Sequence, residues 1–412
     1  MSSWVALAVV FAVLGAVAGV PGLLLIATIT FVYGTLTRLW TRYGMRRIEY
    51  RRELGAVRAV AGDEVALDVT IWNRKPLPLP WVAVDDLVSD GLLIREQTVM
   101  DRDSERIARR ILHNEWSLAW YERVVRHFHI DAQRRGSYEF GPARLRVRDI
   151  LGRDAAETEE ESLTQLTVSP RVVAVRSAGR DVAPLGDRRA RESLFHDPVL
   201  FGGVRPFQPG DSLRRIHWRA TARLGEPVSR RYEPARGREF VIALDVQTLE
   251  GQHWEMTYDE GAFESLCVAA GSIARRILND GIACGLAAAS FSGTIQRTAW
   301  LAPSASAGQI ARMGDMLARI GPVSSGSYES MLTWLSRRVP AGSTVMALTA
   351  RDPRPWLPVL RRLGRSGFEI ELVSIGPESA LHAAAARHLG IRARHGDVEP
   401  DWRSPDALVL AG

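Results

Sequence analysis

Lysine is nearly absent from this 412-residue sequence, and cysteine is rare. Lys75 is the single lysine among 53 basic residues, so arginine carries almost all of the net charge of +6. We attribute that bias to a GC-rich genome rather than to nucleic-acid binding. The two cysteines, Cys267 and Cys284, lie in apolar stretches. They are predicted to be small core residues, which excludes a disulfide framework and a thiolate metal cluster.

The sequence also lacks the common short motifs of catalysis. It contains no Gly-x-Ser-x-Gly, no phosphate-binding loop, no His-Glu-x-x-His and no Cys-x-x-Cys. Such motifs place a nucleophile, cradle a phosphate or ligate a metal. Their absence excludes the best-marked classes of hydrolase, nucleotide-binding enzyme and metalloprotease. The length leaves room for about two or three domains, each with its own core.

Charged side chains are absent from residues 1–37, and the apolar run is interrupted only at residues 19–22, Gly-Val-Pro-Gly. One straight membrane span needs about 20 apolar residues, so the run is longer than a span requires. It predicts either a hairpin of two short transmembrane helices, 4–18 and 23–36, or one long, kinked span. No basic residue precedes the run, which argues against a cleaved signal peptide.

A basic juxtamembrane segment, 38–52, follows the apolar run. Its arginines are Arg38, Arg42, Arg46, Arg47, Arg51 and Arg52. Because positively charged flanks stay in the cytoplasm, we expect residues 50–412 on the cytoplasmic side of a bacterial cell membrane. Trp40 and Tyr43 are expected at the membrane interface, where amphipathic rings are enriched.

Residues 53–170 predict an antiparallel β-sandwich. Short alternations of apolar and polar residues, separated by turn residues, place strands at 64–73, 81–86, 106–112, 122–130, 145–147 and 163–168. An acidic patch, Glu157 to Glu161, precedes the last of these strands. Residues 171–200 are polar and arginine-rich without clear periodicity, and we expect an exposed connector there.

Residues 201–238, called here the signature segment, combine turn residues with patterned arginines. Pro209-Gly210 predicts a turn, after which Asp211 is expected to cap a helix that ends at Gly225. A strand is expected at 228–233. Arginines recur every four residues along one face of the helix and form what we call the arginine row: Arg215, Arg219 and Arg223.

This segment resembles a known family signature, Gly-x-x-Arg-Pro-Phe-x-Pro-Gly-Asp-x-x-Arg-x-Ile-x-Trp-x-x-x-Ala-Arg. The family is the bacterial domain-of-unknown-function 58 family, and the resemblance covers nearly the whole chain. The matching positions are Arg205, Pro206, Phe207, Pro209, Gly210, Asp211, Arg214, Ile216, Trp218, Ala222 and Arg223. The resemblance implies a membrane-embedded N-terminus, a β-rich domain and a degenerate von Willebrand factor A-type domain. It also implies a MoxR-type AAA+ ATPase as partner, because members often occur beside one.

The signature segment supplies the candidate binding residues. They are Arg205, Asp211, Arg214, Arg215, Trp218, Arg219, Arg223 and Glu233. We expect first that the arginine row pairs with carboxylates of adjoining domains, since guanidinium groups suit bidentate ion pairs. Binding of phosphate groups, as on nucleic acid or anionic lipid, or of a partner ranks second. Acid–base catalysis by Asp211, His217 and Glu233 ranks third.

Residues 239–412 alternate strands with helices and predict a doubly wound α/β domain. Strands are expected at 240–246, 282–289, 295–301, 344–349, 368–374 and 391–394, the second and third forming a hairpin. Helices are expected at 258–279, 307–320, 328–338, 356–366 and 379–389. The domain is similar to the von Willebrand factor A-type fold.

The metal site of that fold is degenerate in this sequence. A divalent cation wants several oxygen ligands at once, and the family uses Asp-x-Ser-x-Ser after the first strand. Asp245 is retained here, but Gln247 and Leu249 replace both serines. Ala350 stands where a later aspartate is expected, followed by Arg351. We therefore predict no metal and no cofactor, and we expect Asp245 to orient the neighbouring loop.

These observations predict a membrane-anchored scaffold or adaptor without enzymatic activity. The resemblance implies work with a MoxR-type ATPase in the assembly or maturation of envelope or enzyme complexes. Two alternatives stay open. One is a metal-dependent hydrolase or nuclease that uses Asp211 and His217, and the other is a phosphate- or nucleic-acid-binding protein that uses the arginine row.

Overall fold

The computed structural model describes residues 3–95, 100–101, 109–148, 154–177, 201–206, 218–226, 228–232, 239–251, 257–292 and 295–412. The chain divides into two units, Met1–Ser169 and Pro170–Gly412. Each unit is built around β-sheets, which confirms a sheet-rich fold of more than one domain.

Two helices open the N-terminal unit: α1 (Ser3–Ala18) and α2 (Pro21–Tyr43). Gly19, at φ +65°, lies between them, and the two helices pack against each other, so the apolar run is a helical hairpin rather than one kinked helix. Within α2, Pro21–Trp40 is long and apolar enough to cross a membrane, whereas α1 is shorter. Among the described residues, α2 is therefore the helix that could anchor the chain in a bilayer.

The strands of the N-terminal unit follow α2. They are β1 (Ile48–Leu54), β2 (Arg58–Val60), β3 (Asp63–Asn73), β4 (Leu79–Ser89), β5 (Leu93–Ile94), β6 (Met100–Asp101), β7 (Arg109–Leu118), β8 (Arg123–Ala132), β9 (Gly136–Arg148), β10 (Asp154–Glu160) and β11 (Thr164–Ser169). One sheet has the order β1-β3-β8-β5. The other has the order β2-β11-β9-β4-β7-β6, with β10 also paired to β9. The pairs are antiparallel except β2 with β11.

Both sheets contribute to one apolar core, as in a sandwich. Leu67, Val69 and Ile71 of β3 are fully buried together with Val82 and Val84 of β4. Such alternation arises because successive side chains of a strand point to opposite faces. Burial of β-branched and leucine side chains therefore stabilises most of the unit, and each fully buried side chain contributes about 1.5–3 kcal/mol.

Trp40 corrects one expectation about the juxtamembrane segment. Its side chain is only 7% exposed and packs into the sandwich core, so it is not an interfacial anchor. Tyr43, three residues later, is exposed, with the Arg42 and Arg46 guanidinium groups over its ring at 5.8 and 5.0 Å. The last turns of α2 are therefore fixed to the sandwich, because Trp40 is part of its core.

The C-terminal unit begins with β12 (Ala174–Ser177), β13 (Phe201–Pro206), α3 (Trp218–Leu224) and β14 (Val228–Tyr232). It continues with β15 (Phe240–Leu244), α4 (Glu260–Asn279), β16 (Cys284–Ser292), β17 (Ile295–Ser304), α5 (Gln309–Arg319), α6 (Tyr328–Leu335), β18 (Thr344–Thr349), α7 (Leu357–Arg365), β19 (Glu369–Ile375), α8 (Ser379–His388), β20 (Arg392–Glu399) and β21 (Ala407–Ala411). The main sheet has the order β12-β21-β20-β19-β18-β15-β16-β17. Strands β13 and β14 form a separate antiparallel ribbon.

The central strands β20, β19, β18, β15 and β16 are parallel. Helices cover both faces: α4 and α5 pack on the side of Ile242 and Leu244, and α6, α7 and α8 pack on the side of Val241 and Ala243. The chain passes from β15 through α4 to β16 in one direction along the sheet, and from β18 through α7 to β19 in the opposite direction. The strand order therefore reverses between β15 and β18, which is where open α/β sheets form their ligand crevice.

Several features of the sheets differ from the sequence-based expectation, among them β1, which begins inside the predicted juxtamembrane segment. Ala174–Ser177, inside the predicted connector, forms β12 and pairs with β21, a strand that was not predicted. The acidic patch lies largely in β10, which pairs with β9. Its carboxylates are exposed, and Glu157 pairs with Arg144 at 3.0 Å. An exposed edge strand buries no alternating face, so hydrophobic periodicity does not reveal it.

Candidate functional site

The described part of the signature segment is a two-stranded ribbon joined to a short helix. In the ribbon, Val204 lies opposite Arg230 and Pro206 opposite Val228, and Arg205 belongs to β13. The predicted strand at 228–233 corresponds to β14. The first half of the predicted helix, with Asp211, Arg214, Arg215 and His217, lies outside the described residues, as does Glu233.

Helix α3 is fixed to the ribbon at one end. The Val228 N–H donates to the Thr221 hydroxyl at 3.2 Å, and Val228 is buried. Gly225 follows the helix with φ +74°, and its N–H donates to the Thr221 carbonyl at 2.9 Å. This left-handed conformation favours glycine, which confirms the predicted helix end at this position.

Two candidate binding residues of α3 face solvent. Trp218 is 68% exposed, and Arg223 and Ala222 are also exposed. Arg219 belongs to the same helix. Within the described part of the chain, no carboxylate pairs with Arg223. Internal pairing of the arginine row stays a prediction, because Asp211, Arg215 and Glu233 lie outside the described residues.

A second cluster lies at the reversal of strand order in the main sheet. Asp245 directly follows β15, and its N–H donates to the Leu348 carbonyl of β18 at 2.9 Å. The Arg351 Nε donates to Asp245 Oδ2 at 2.8 Å, and the Thr349 hydroxyl donates to the same oxygen at 3.1 Å. The Gln247 N–H donates to Oδ1 at 3.3 Å, so Asp245 does orient the loop that follows it.

Burial governs the electrostatics of this cluster. The side chains of Asp245 and Arg351 are only 2% and 8% exposed. Burial raises the pKa of Asp245 above its ordinary value, although the Arg351 guanidinium and the Thr349 hydroxyl oppose that rise. Arg351 thus supplies the positive charge that a buried carboxylate needs, and the pair is neutral as a whole.

The residues around Asp245 do not fit a divalent cation. Both of its carboxylate oxygens already accept hydrogen bonds from internal donors. Leu249 is 43% exposed and offers no ligand oxygen, and Arg351 brings a positive charge to the place that a cation would need. No group of three or more acidic, histidine or cysteine side chains gathers as for a metal among the described residues.

The loops beyond the two strands are also bonded to one another. The Asp352 N–H donates to the Glu250 carboxylate at 3.2 Å, and Asp352 pairs with Arg354 at 2.5 Å. On the other side, the Asp259 N–H donates to the Thr248 hydroxyl at 2.8 Å, and Asp259 caps α4. These contacts hold the described parts of the two loops to each other and to the start of α4.

An open groove of about 470 Å³ lies elsewhere in the C-terminal unit, between α5 and the β16–β17 hairpin. Its walls include Trp300, Met316 and Arg319. Arg312, which also lines it, donates to the Ser306 hydroxyl at 2.6 Å and to the Gln309 side chain at 2.8 Å. The groove combines apolar walls with two arginines and Asp315, and its described lining carries no arrangement typical of nucleophilic catalysis.

These features define a sheet-rich, multidomain protein with an apolar N-terminal helix and an α/β unit whose buried carboxylate is neutralised by a buried guanidinium. Residues 203–348 match the family described as "Protein of unknown function DUF58". An uncharacterized protein of Bacillus subtilis (strain 168), YeaD, is 23% identical over 253 residues, covering 60% of this chain. Both findings support the domain-of-unknown-function 58 family that the signature predicts. The match spans 56% of the length of YeaD.

Two solved structures each resemble part of the chain. The CARDB domain of the PF1109 protein from Pyrococcus furiosus, in complex with di-metal ions, covers 29% of this chain and 93% of its own, at 14% identity and a TM-score of 0.20. A cohesin module from a Clostridium perfringens family 33 glycoside hydrolase covers 29% and 94%, at 10% identity and a TM-score of 0.20. Likenesses this weak carry no conclusion about function.

Sequence reasoning gave no role to the residues that complete the buried cluster. Arg351 was noted only as the neighbour of Ala350, and Thr349 only as the end of a strand. The usable indication was an arginine two residues after a strand of apolar residues and threonine, next to a site that had lost its metal ligands. A buried aspartate without a metal requires another positive charge, and the adjacent parallel strand is where it would come from.

Proposed function

We propose that this protein is a membrane-anchored scaffold or adaptor and not an enzyme. The observation that carries the proposal is the Asp245–Arg351 pair at the strand-order reversal. A buried, neutral ion pair there takes the place of a substrate or metal, so the α/β unit offers its surface rather than a crevice. The exposed Trp218 and Arg223 of the signature helix provide such a surface.

We further infer that the α/β unit is a von Willebrand factor A-type domain that has exchanged its metal for Arg351. The parallel sheet covered by helices on both faces supports this assignment. So does the position of Asp245 directly after β15. An internal guanidinium is always charged and cannot dissociate, so the domain would keep one conformation where a metal-dependent domain could switch.

The partner we propose is a MoxR-type AAA+ ATPase, as the family resemblance implies. Tryptophan and arginine dominate the energetics of protein interfaces because they bury a large surface and form directed hydrogen bonds. Trp218 and Arg223 are one such combination on a single helix. We place the complex on the cytoplasmic side of a bacterial membrane, where it would assist the assembly or maturation of envelope or enzyme complexes.

A binding assay tests this proposal. The full chain, reconstituted in nanodiscs, is titrated with the purified MoxR-type ATPase of the same genome. We expect Trp218→Ala and Arg223→Ala to weaken binding by about tenfold or more each, as for residues at the centre of an interface. Leu381→Ala is the control, because Leu381 is 64% exposed on α8, outside the signature segment.

The same assay distinguishes the alternatives. Unchanged affinity in both signature variants would contradict a role of the signature helix in docking. Saturable binding of inorganic phosphate or a single-stranded oligonucleotide, lost in Arg223→Ala, would instead establish the anion-binding alternative. Hydrolysis by the parent chain that is lost on replacing Asp211 or His217 would establish the enzyme.

A further inference from the structure

The turn between β7 and β8 exposes two neighbouring aromatic side chains. Trp120 is 68% exposed and Tyr121 is 62% exposed. The turn is tight: Tyr121 has φ +55°, and the Ala119 N–H donates to the Glu122 carboxylate at 2.6 Å. Large aromatic groups held outward at the tip of a hairpin are costly in water, but they are enriched where a membrane meets water.

Hydrogen bonds connect this tip to the end of α2. Asn73 Nδ2 donates to the Ala119 carbonyl at 2.7 Å, and the Tyr121 N–H donates to the Lys75 carbonyl at 3.2 Å. The Lys75 ammonium, which is buried, donates in turn to the Gly44 carbonyl at 2.8 Å, directly after α2. The tip therefore lies at the end of the sandwich where α2 enters it.

The same end of the sandwich carries exposed positive charge. Arg42, Arg46 and Arg47 are exposed around the end of α2, whereas Arg74, on the loop that contacts the tip, is paired with Glu49. Arg42 and Arg46 lie over the ring of exposed Tyr43. Aromatic rings flanked by arginines match the headgroup region of a bilayer that contains anionic lipid.

We propose that the Trp120–Tyr121 tip inserts into the headgroup region of the bilayer that α2 crosses. This inference rests on the membrane anchoring proposed above. The tip would form a second attachment next to the helix, and the two together would fix the orientation of the sandwich on the membrane. A single helix, even one fixed to its domain as α2 is, can still turn about its own axis in the bilayer, whereas a second point of contact restricts that rotation.

Lipid-dependent fluorescence quenching tests the inserted tip. The full chain carrying Tyr121→Cys is labelled with bimane and reconstituted in vesicles of phosphatidylcholine and phosphatidylglycerol, some with a nitroxide near the top of the acyl chain. The two native cysteines are buried, so the labelled parent chain provides the blank. Leu93→Cys is the matched control, because exposed Leu93 pairs with Asp131 at the opposite end of β8, about 26 Å from Arg123.

We expect several-fold stronger quenching by the nitroxide lipid at position 121 than at position 93. Flotation of the vesicles tests the α2 anchor separately. A chain that floats with equal quenching at both positions would overturn the inserted tip and leave the anchor standing. Loss of flotation would overturn both. Protection from aqueous iodide without lipid quenching would assign the tip to a contact between two copies of the chain. Trp120→Cys repeats the measurement should Tyr121→Cys lower the melting temperature.

Discussion

Removal of Arg351 is the sharpest perturbation of the buried pair. In Arg351→Met, Asp245 keeps the Thr349 and Gln247 donors but loses its counter-charge. Breaking a buried pair by removing one partner costs about 3–5 kcal/mol, because the remaining charge stays desolvated. For a unit of the size of Pro170–Gly412, that loss lowers the melting temperature by roughly 6–20 °C.

Two further variants separate charge from packing. Asp245→Asn combined with Arg351→Met removes both charges, so we expect the double variant to regain much of the lost stability. Arg354→Met is the surface control. Arg354 pairs with Asp352, but its side chain is 70% exposed, so we expect a loss of no more than about 1 kcal/mol.

The pH dependence provides an independent check. Burial already raises the pKa of Asp245, and removal of the Arg351 guanidinium raises it further. A carboxyl group with a raised folded-state pKa stabilises the fold below its unfolded pKa and loses that contribution as pH rises through the folded value. The deficit of Arg351→Met should therefore be largest near pH 8 and shrink towards about pH 5.

Urea denaturation of the full chain measures the change in the free energy of unfolding. Hydrogen exchange in peptides from β15 and β18 then shows whether the change lies in the C-terminal unit. A loss below about 1 kcal/mol in Arg351→Met near pH 8 would refute the argument, because it would mean that Asp245 needs no internal counter-charge. So would a double variant that is less stable than Arg351→Met alone.

Three further predictions concern other parts of the chain. Asp86, buried and bonded to Arg52 at 2.6 Å and Tyr50 at 2.8 Å, has a pKa raised by burial to about 6, so the stability of the sandwich should fall from about pH 4 to pH 6. Asp86→Asn should make the stability of the sandwich less dependent on pH over that range. An unchanged dependence of the urea midpoint on pH would exclude Asp86 as the source of the fall. Gly225→Ala should cost about 1 kcal/mol by forcing alanine to φ +74°, and a melting temperature equal to that of the parent would contradict this. Calorimetric titration with magnesium or manganese should give no saturable heat, and micromolar binding abolished by Asp245→Ala would show that a metal site persists.

Local sequence pattern was sufficient to predict several helices and strands. Strand β18 has the predicted bounds, Thr344–Thr349, because six consecutive apolar or β-branched residues between turns suit a strand buried on both faces. The β16–β17 hairpin and the end of α3 at Gly225 were also predicted. Each of these depends on residues that are close in sequence, where hydrophobic periodicity and turn chemistry act directly.

The candidate site was predicted only in part. The sequence singled out Asp245 and the loss of the neighbouring ligands, because that departure is visible in a short motif. For the arginine row it predicted internal pairing, which stays a prediction because Arg215 and the neighbouring Asp211 lie outside the described residues. Periodicity places side chains on one face of a helix but does not say what that face meets.

Contacts between distant residues were decided by the tertiary structure alone. Asp245 and Arg351 are 106 positions apart, and they meet because β15 and β18 are neighbours in the sheet. Packing between segments that are distant in sequence likewise places Trp40 in the sandwich core and the Trp120–Tyr121 tip beside the end of α2. Composition and spacing determine which segments become helix or strand, whereas the partner of a buried charge depends on strand order. Strand order is set by the packing of whole layers, which no local pattern encodes.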